Sequence, residues 1–511
     1  VRKTCIGVFE AKIFLPSIRP RLDAHNSIFK THVTLVPGST KTVAKKINVN
    51  VNETVLAARR ELKNEKGLSP SLKTTMDGVL DLVVTLANRL GLDSSKSSKP
   101  PSSDPNRIRK SHTTKGKRRK PGGQKGHNGS RLEQVENPTV IEELMIDRRT
   151  LPAGTWASAS FDKRQVFDIE VSFNVTEYQA EVLTNELGES YVAEFPKGVT
   201  EPAQYGVGVK ATSVYLSQFQ LIPQARVQDL LKTQYGLPLA KSSVNNFNIL
   251  AASTLRDWNF EDCLRNQLVV SPVLHADEPG TNINGDRYWI HCLCNESLTY
   301  FHVDPKRGHD AMERMGVLAK FSGQLVHDHW KPYFLYLCIH VLCNAHHLRE
   351  LERAIEQDSQ KWAKRMKKLL EIINIKVNES GGKLSFKKIK LFQKQYRFIL
   401  KSADRECPKN KNQRAQTKSR NLLERLIAFE DETLRFMTEE QTPFTNNQGE
   451  RDLRMNKVQQ KISGCFRTER GAEDFCLIRS YLSTCRKRGV HPTEALRALF
   501  TGVKPKFMKI E

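Results

Sequence analysis

The sequence predicts a mixed α/β core with a helical insertion, preceded by helical and small β regions. Three observations predict this. Between residues 263 and 343, short apolar strands alternate with turns, and two of them end in acids. From 345 to about 440, apolar residues recur at helical spacing. Ahead of both lie a helical stretch, a basic polar stretch and two short helices around a turn.

Residues 1–54 carry no clear periodicity and are read as a poorly defined extension. Residues 55–92 are helical. Met76, Leu80, Val83, Ala87 and Leu90 fall at alternating steps of four and three, a seam that pairs helices within one chain or between copies. Residues 93–137 are a basic flexible linker. Ten Lys or Arg fall between Lys99 and Lys125 against one acid, Asp104, and such a segment cannot bury a core. Arg118, Arg119, Lys120 and Lys125, around Pro121-Gly122-Gly123, form an arm suited to a phosphate backbone; a solvated linker is the equal alternative.

Residues 138–205 are expected to be a small β-rich region, with alternating strands at 166–171 and 191–195. Residues 206–262 are helix-turn-helix-like. Val227, Leu230, Leu231 and Tyr235 give the first helix an apolar face, Gly236 and Pro238 break it, and Val244, Phe247 and Leu250 give the second. A DNA-reading hairpin would set its second helix in a major groove, whereas many helical hairpins bind nothing.

The core spans 263–465. It is expected to hold a first strand region at 268–277, strands at 287–294 and 298–303 joined by a turn at Asn295-Glu296-Ser297, and a helix at 308–321. A strand at 323–328, a fifth strand at 339–343 and a helix capped by Asn344 follow. The helical insertion covers about 352–440, with a Lys-rich break near Gly381-Gly382, and a helix from Asn447 to about Ile462 closes the core. Residues 466–511 are a basic C-terminal region.

Lys and Arg number 81 against 56 Asp and Glu, a net charge of +25 over 511 residues. That surplus favours a polyanionic partner, most commonly nucleic acid. No apolar run approaches the ~20 residues of a membrane helix, so no membrane partner is expected. Ten sparse cysteines give no disulfide framework and fit a reducing, intracellular compartment.

The acids carry the chemistry. Phosphoryl transfer on DNA needs an attacking oxygen activated and a leaving oxygen stabilised, which two divalent ions about 3.5–4 Å apart can do. Such hard ions want carboxylates held on rigid elements. Asp277 ends the first strand, Asp328 ends the fourth, and Glu450 stands near the start of the helix that opens at Asn446-Asn447. On that helix Arg451, Arg454, Lys457 and Lys461 repeat at helical spacing, with Arg467 just beyond, as a phosphate-contacting face would. A single strand-end Asp is more often a turn residue; the ordered set lifts the reading. Cys338, Cys343, His346 and His347 are read as core cysteines and a positioning His rather than a soft metal set. His327 and His329 are secondary, and Cys292 and Cys294 are packing.

Several long motifs resemble the insertion-sequence-66 family of transposases. Ser94 to Asp104 and Arg119-Lys120-Pro121-Gly122-Gly123-Gln124-Lys125-Gly126-His127 are similar to its N-terminal signature. His275-Ala276-Asp277-Glu278, His327-Asp328-His329-Trp330-Lys331 and Asn446-Asn447-Gln448-Gly449-Glu450-Arg451 resemble its three acid motifs. Cys343 to Leu351, Ser463 to Arg467 and Ser480 to Thr484 match the stretches between and beyond. The resemblance covers about 55–495 and implies an RNase H-like catalytic domain with a DDE triad of Asp277, Asp328 and Glu450. It implies Mg²⁺ or Mn²⁺, hydrolysis of the element ends, and transfer of the freed 3′-hydroxyl into target DNA. It further implies a homo-oligomer in the DNA complex, accessory proteins of the same element, and a prokaryotic cytoplasm with nucleoid association. Two departures stand out. The family's Cys-rich zinc module has no counterpart, since no cysteine lies between Cys5 and Cys263, so no zinc is expected at 138–205. Pro279 stands where the family often has Thr. Two other readings share these residues: a catalytically inactive DNA-binding remnant, and an RNase H-like nuclease without strand transfer, which would need neither the basic arm nor the helix-turn-helix.

Overall fold

The computed structural model describes residues 51–65, 67–90, 132–157, 160–169, 173–409 and 416–508. The chain divides into two units, Val1–Thr85 and Leu86–Glu511. In the first, α1 (Val51–Asn64), which begins four residues ahead of the helical region expected at 55–92, is followed by α2 (Pro70–Leu90). Arg59 of α1 reaches Asp77 (3.3 Å) and Asp81 of α2. Along α2, Leu72, Met76, Val79 and Val83 stay exposed at heptad steps, so the seam's Met76 and Val83 lie open.

Among the described residues of 132–205, the strands are a single antiparallel hairpin, β1 (Val182–Thr184) with β2 (Ser190–Val192). The strand expected at 166–171 does not form over its described residues 166–169. Its alternating side chains have nothing to pack on: Val166 is 91% exposed. The second expected strand is shortened to β2.

Helices then build a core continuous with the sheet. They are α3 (Val207–Val214), which runs into a π-turn at Tyr215–Phe219, α4 (Gln224–Tyr235), α5 (Lys241–Asp257) and α6 (Phe260–Val269). Gly236 stops α4 in the left-handed region (φ 67°), its N–H returning to Lys232 O while Leu237 N–H returns to Leu231 O. Val227, Leu231, Val244 and Phe247 are buried as expected; Leu250 is exposed instead. α6 takes up Leu268 and Val269, so the first strand starts at Val273 and not at 268. Leu268 is the helix's last buried residue, and Val270 faces solvent.

The sheet holds β3 (Val273–Asp277), β4 (Gly280–Ile283), β5 (Asp286–Cys294), β6 (Thr299–Asp304), β7 (Gln324–His327) and β8 (Ile339–Leu342). β3 and β4 lie end to end along one edge of β5 in a single antiparallel register, Asp277 opposite Cys292 and Gly280 opposite Trp289. The hairpin closes at Asn284-Gly285, both at positive φ (49° and 94°), the pair that suits a tight twisted turn. β6 pairs antiparallel with the other edge of β5, β7 runs parallel to β3, and β8 parallel to β7. The helix expected at 308–321 is shorter, α7 (His309–Met315), followed by a 3₁₀ turn at Leu318–Lys320. Strand alternation sorts the two faces. Leu274, Ala276, Leu293, Tyr300 and Leu325 join the core of α4–α6, while Ile290, Cys292, Cys294, Phe301 and Val303 face the opposite way.

The insertion follows as α8 (Asn344–Asp358), α9 (Lys361–Glu379), α10 (Phe386–Glu406), α11 (Lys418–Ala428) and α12 (Glu430–Leu434) around a separate core of Trp362, Met366, Leu370, Tyr396 and Leu422. Asn344 is the first residue of α8 and not its cap; Cys343 holds that position, and the Asn344 side chain donates to Thr433 O (3.0 Å). Asn344 N–H also donates to Phe444 O (3.1 Å), joining the two ends of the insertion. The chain then forms α13 (Asn447–Ser463), α14 (Glu469–Lys487) and α15 (Pro492–Phe500). Most basic residues of the C-terminal region are exposed, Arg467, Arg470, Arg486, Arg488 and Arg497 among them, but two are tied into the fold. Arg479 is buried and donates to the carbonyls of Gln218 and Phe219, and Lys487 pairs with Asp452. No helix of the described residues is long and apolar enough to cross a membrane.

Candidate active site

Three elements bring the acids together. β3 and β7 are parallel neighbours with His275 opposite Val326. Asp277 and Asp328 each stand two residues beyond that pair, side by side at the same sheet edge. Neighbouring strands lie about 4.8 Å apart, which sets the scale of their separation. Alternation puts Asp277 on the face of His275, Cys292 and Cys294, the face that α13 covers through Leu453.

Asn446 fixes α13 there. His275 Nδ1 donates to Asn446 Oδ1 (2.8 Å), Asn446 Nδ2 donates to Ala276 O (2.7 Å), and its backbone N–H donates to Cys343 Sγ (3.1 Å). One residue thereby ties the helix start to β3 and to the end of β8. Glu450 lies in the first turn, its N–H donating to Asn446 O. Gly449 is needed for this close approach, since a Cβ there would sit 3.1 Å from Asn446 Oδ1.

The acids feel one another's charge. Burial pushes the Asp277 carboxyl up to about 6, with Asp328 and Glu450 adding to the rise and Lys457 opposing it. Asp328 is also raised by burial, against the Trp330 N–H that it accepts (3.0 Å) and the charges of Arg307 and Arg425. Glu450 faces Arg349 of α8, Nη2 to Oε1 at 3.6 Å.

A fourth carboxylate was quoted in the first acid motif but given no role. Glu278 is buried and pushed up to about 8, first by desolvation and then by Asp277 and Asp328. Arg307 donates to it (Nη2 to Oε1, 2.6 Å), as does the Tyr333 hydroxyl. The Arg307 guanidinium also lies over the Trp330 ring, 4.3 Å from its centroid. Arg307, Trp330 and Tyr333 thus lock the segment after Asp328 onto the end of β3. Only the adjacency of the two acids could have hinted at this, because the partners come from distant parts of the chain.

A cavity of about 240 Å³ opens beside Asp328, lined by Trp330, His346, His347, Glu350 and Arg425. Burial and the charges of Arg349, Arg425 and Lys457 pull His346 down to about 3, so its ring is neutral at ordinary pH. His327 packs inside the sheet edge, bonded to His340 Nδ1 (3.1 Å). Among the described residues, no three His, Cys, Asp or Glu side chains converge closely enough to hold a metal ion. The donor set is nevertheless right in kind. Asp277 and Asp328 offer hard oxygens in a crowded, mutually repelling pair that a divalent cation would relieve, and Glu450 is held to one side by Arg349.

Of the expected DNA contacts, Lys457 is half-buried and its charge acts on Asp277, while Arg451, Arg454, Lys461 and Arg467 are exposed along and after α13. Arg118, Arg119, Lys120 and Lys125 lie outside the described residues.

A family model described as Transposase IS66 family matches residues 202–474, more than half of the chain. The chain belongs to the IS66 transposase family. The matched stretch of this transposase runs from just ahead of α3 into α14 and contains all three acids. A second model, described as a family of unknown function (DUF6444), matches residues 41–133. No curated protein matches the transposase. Pro279, the family departure, leaves the strand register intact, and its carbonyl accepts from Ile290 N–H (3.0 Å).

Proposed function

We propose that this transposase cleaves DNA at the ends of its element and joins them to target DNA, using Asp277, Asp328 and Glu450 in an RNase H-like core. The observation that carries this reading is the meeting of two parallel strand ends with the first turn of α13, pinned by Asn446. The strand order β6-β5-β3-β7-β8, antiparallel then parallel, supports the RNase H-like assignment.

In cleavage, water attacks the phosphorus at the element end, the bond from phosphorus to the 3′-oxygen breaks, and that oxygen takes a proton. In transfer, the freed 3′-hydroxyl attacks a target phosphodiester and the target's own 3′-oxygen leaves, so phosphodiester bonds are exchanged without loss. Asp277 and Asp328 would hold Mg²⁺ or Mn²⁺, with Glu450 as the third acid; the bound ion would activate the attacking oxygen and stabilise the leaving one. Lys457 tempers the carboxylate charge beside the scissile phosphate. Arg451 and Arg454 meet the backbone. Homo-oligomerisation through the open apolar row of α2 belongs to the same proposal, as do accessory proteins of the element.

Labelled DNA carrying the element ends tests this with Asp277→Asn, Asp328→Asn and Glu450→Gln. Metal-dependent cleavage and joining by wild type, lost in each variant while DNA binding persists, is the expected result. Binding without any product from wild type would replace it with a DNA-binding remnant.

A further inference from the structure

Thirteen Lys and Arg residues against two Glu fall from Lys361 to Lys401, a surplus of eleven out of the chain's net +25. All but Lys383, in the connection, lie on α9 and α10, which form an antiparallel hairpin. The start of α9 meets the end of α10, where Arg365 donates to Ser402 Oγ (3.0 Å) and Lys361 N–H to Glu406. Gly381 and Gly382, both at positive φ, turn the chain between them. The inner faces are committed to the insertion core through Trp362, Met366 and Leu370 on α9 and Tyr396, Ile399 and Leu400 on α10.

The outer faces are different in kind. On α10, Lys387, Leu391, Lys394, Phe398 and Lys401 recur at steps of four and three and are all exposed, Phe398 to 69%. On α9, Lys361, Lys364 and Lys368 are exposed likewise. The ion pairs of the hairpin use Arg365, Lys367, Lys376, Lys383 and Arg397. Lys387, Lys394 and Lys401 enter no ion pair among the described residues. At 1.5 Å per residue they stand roughly 10 Å apart, a row about 21 Å long.

The charge selects the partner. A second copy laid on this face would set eleven surplus positive charges against eleven more. An apolar partner would strip water from the lysines without repayment. A nucleic-acid backbone gains affinity from each lysine by counterion release, and the stems and rings between them fit against sugars. Lysine, a point charge, suits phosphates more than base edges. α9 packs on α8, which carries His346, His347 and Glu350 to the cleft beside Asp328, so the hairpin stands one helix layer from that acid.

We propose that the outer face of the α9–α10 hairpin grips duplex DNA by its phosphate backbone, beside the reacting end and without regard to sequence. This rests on the reading that the chain works on DNA. The test is equilibrium binding of the full chain to labelled duplexes over a range of KCl, wild type against a combined Lys387→Gln, Lys394→Gln, Lys401→Gln variant. Three lost phosphate contacts shrink the slope of log K against log [KCl] by about 2 to 3 and weaken binding about tenfold at moderate salt, equally for unrelated sequences. An unchanged melting temperature establishes that the variant is folded. A slope equal to wild type overturns the proposal and leaves the transposase reading standing. A wild type that binds no duplex at any salt overturns both. A Leu391→Gln, Phe398→Gln variant that breaks up an oligomer, while the lysine variant keeps the wild-type slope, makes the face a protein interface and also overturns the proposal.

Discussion

Glu278 follows Asp277 directly, yet the two carboxylates have different keepers. Asp277 accepts the Glu278 N–H (2.9 Å) and feels Lys457, while Glu278 is clasped by Arg307 and Tyr333. Breaking a fully buried pair typically costs about 3–5 kcal/mol. Arg307 keeps 43% of its side chain exposed, so water takes over part of its charge. Glu278→Ala is therefore expected to cost only about 1–3 kcal/mol, read by urea unfolding, while loosening the Trp330 segment. Arg349 makes a different prediction. Its pairing with Glu450 is long and partly exposed, worth about 1 kcal/mol at most. Arg349→Gln should tighten Mn²⁺ binding by up to about fivefold in calorimetric titration, because Glu450 is freed to join the two Asp residues. Unchanged affinity would show that Arg349 does not restrain it.

At the scale of elements, two contacts matter, one at the site and one in the β5–β6 hairpin. Asn446 holds α13 against β3, and Asn446→Ala leaves His275 Nδ1 and Ala276 O without their buried partners. The expected cost is about 2–4 kcal/mol, measurable by denaturant unfolding, with activity lost even though every acid remains. The β5–β6 hairpin carries a pH dependence of its own. Burial pulls His291 from 6.5 down to about 4, its Nε2 bonded to Lys306 O (3.2 Å). The fold accommodates the neutral ring, so this contribution is full above pH 6.5 and is lost as pH falls toward 4. Melting across that window should fall more steeply for wild type than for His291→Gln. Much of this hairpin was legible in the sequence: the alternation of 287–294 and 298–303 placed β5 and β6 almost to the residue. β4 was missed although Asn284-Gly285 marks its turn, because four residues beginning with Gly280 carry too little pattern. Leu268-Val269-Val270 reads as a strand start by its β-branched run, and only packing against the sheet makes it a helix end. The placement of Asp277 and Asp328 at strand ends and of Glu450 in the first turn of α13 was legible because such positions leave local signatures. Arg307, Tyr333 and the clamp role of Asn446 were not, since each exists only through contacts far away in the chain.

At the scale of the molecule, the sheet and the insertion have separate cores. Trp362, Met366 and Leu370 pack with α10 and α11 and not with β3, β5 or β7. Trp362→Ala is expected to cost about 3–5 kcal/mol, felt within the insertion. Hydrogen exchange should show α9–α11 losing protection while amides of β3 and β5 keep theirs; equal loss in both would mean that they unfold as one.

The hydrogen bond from Asn344 to Phe444 has a consequence for comparing such proteins. The chain leaves the sheet and returns to it at one point, so the stretch between the second and third acids starts and ends at the same doorstep. Lengthening or shortening that stretch alters how far apart Asp328 and Glu450 fall in a sequence and leaves their separation in space as it was. Counting residues between acids measures the size of the insertion, much as rope coiled beside a cleat can gain a loop while the cleat stays where it is.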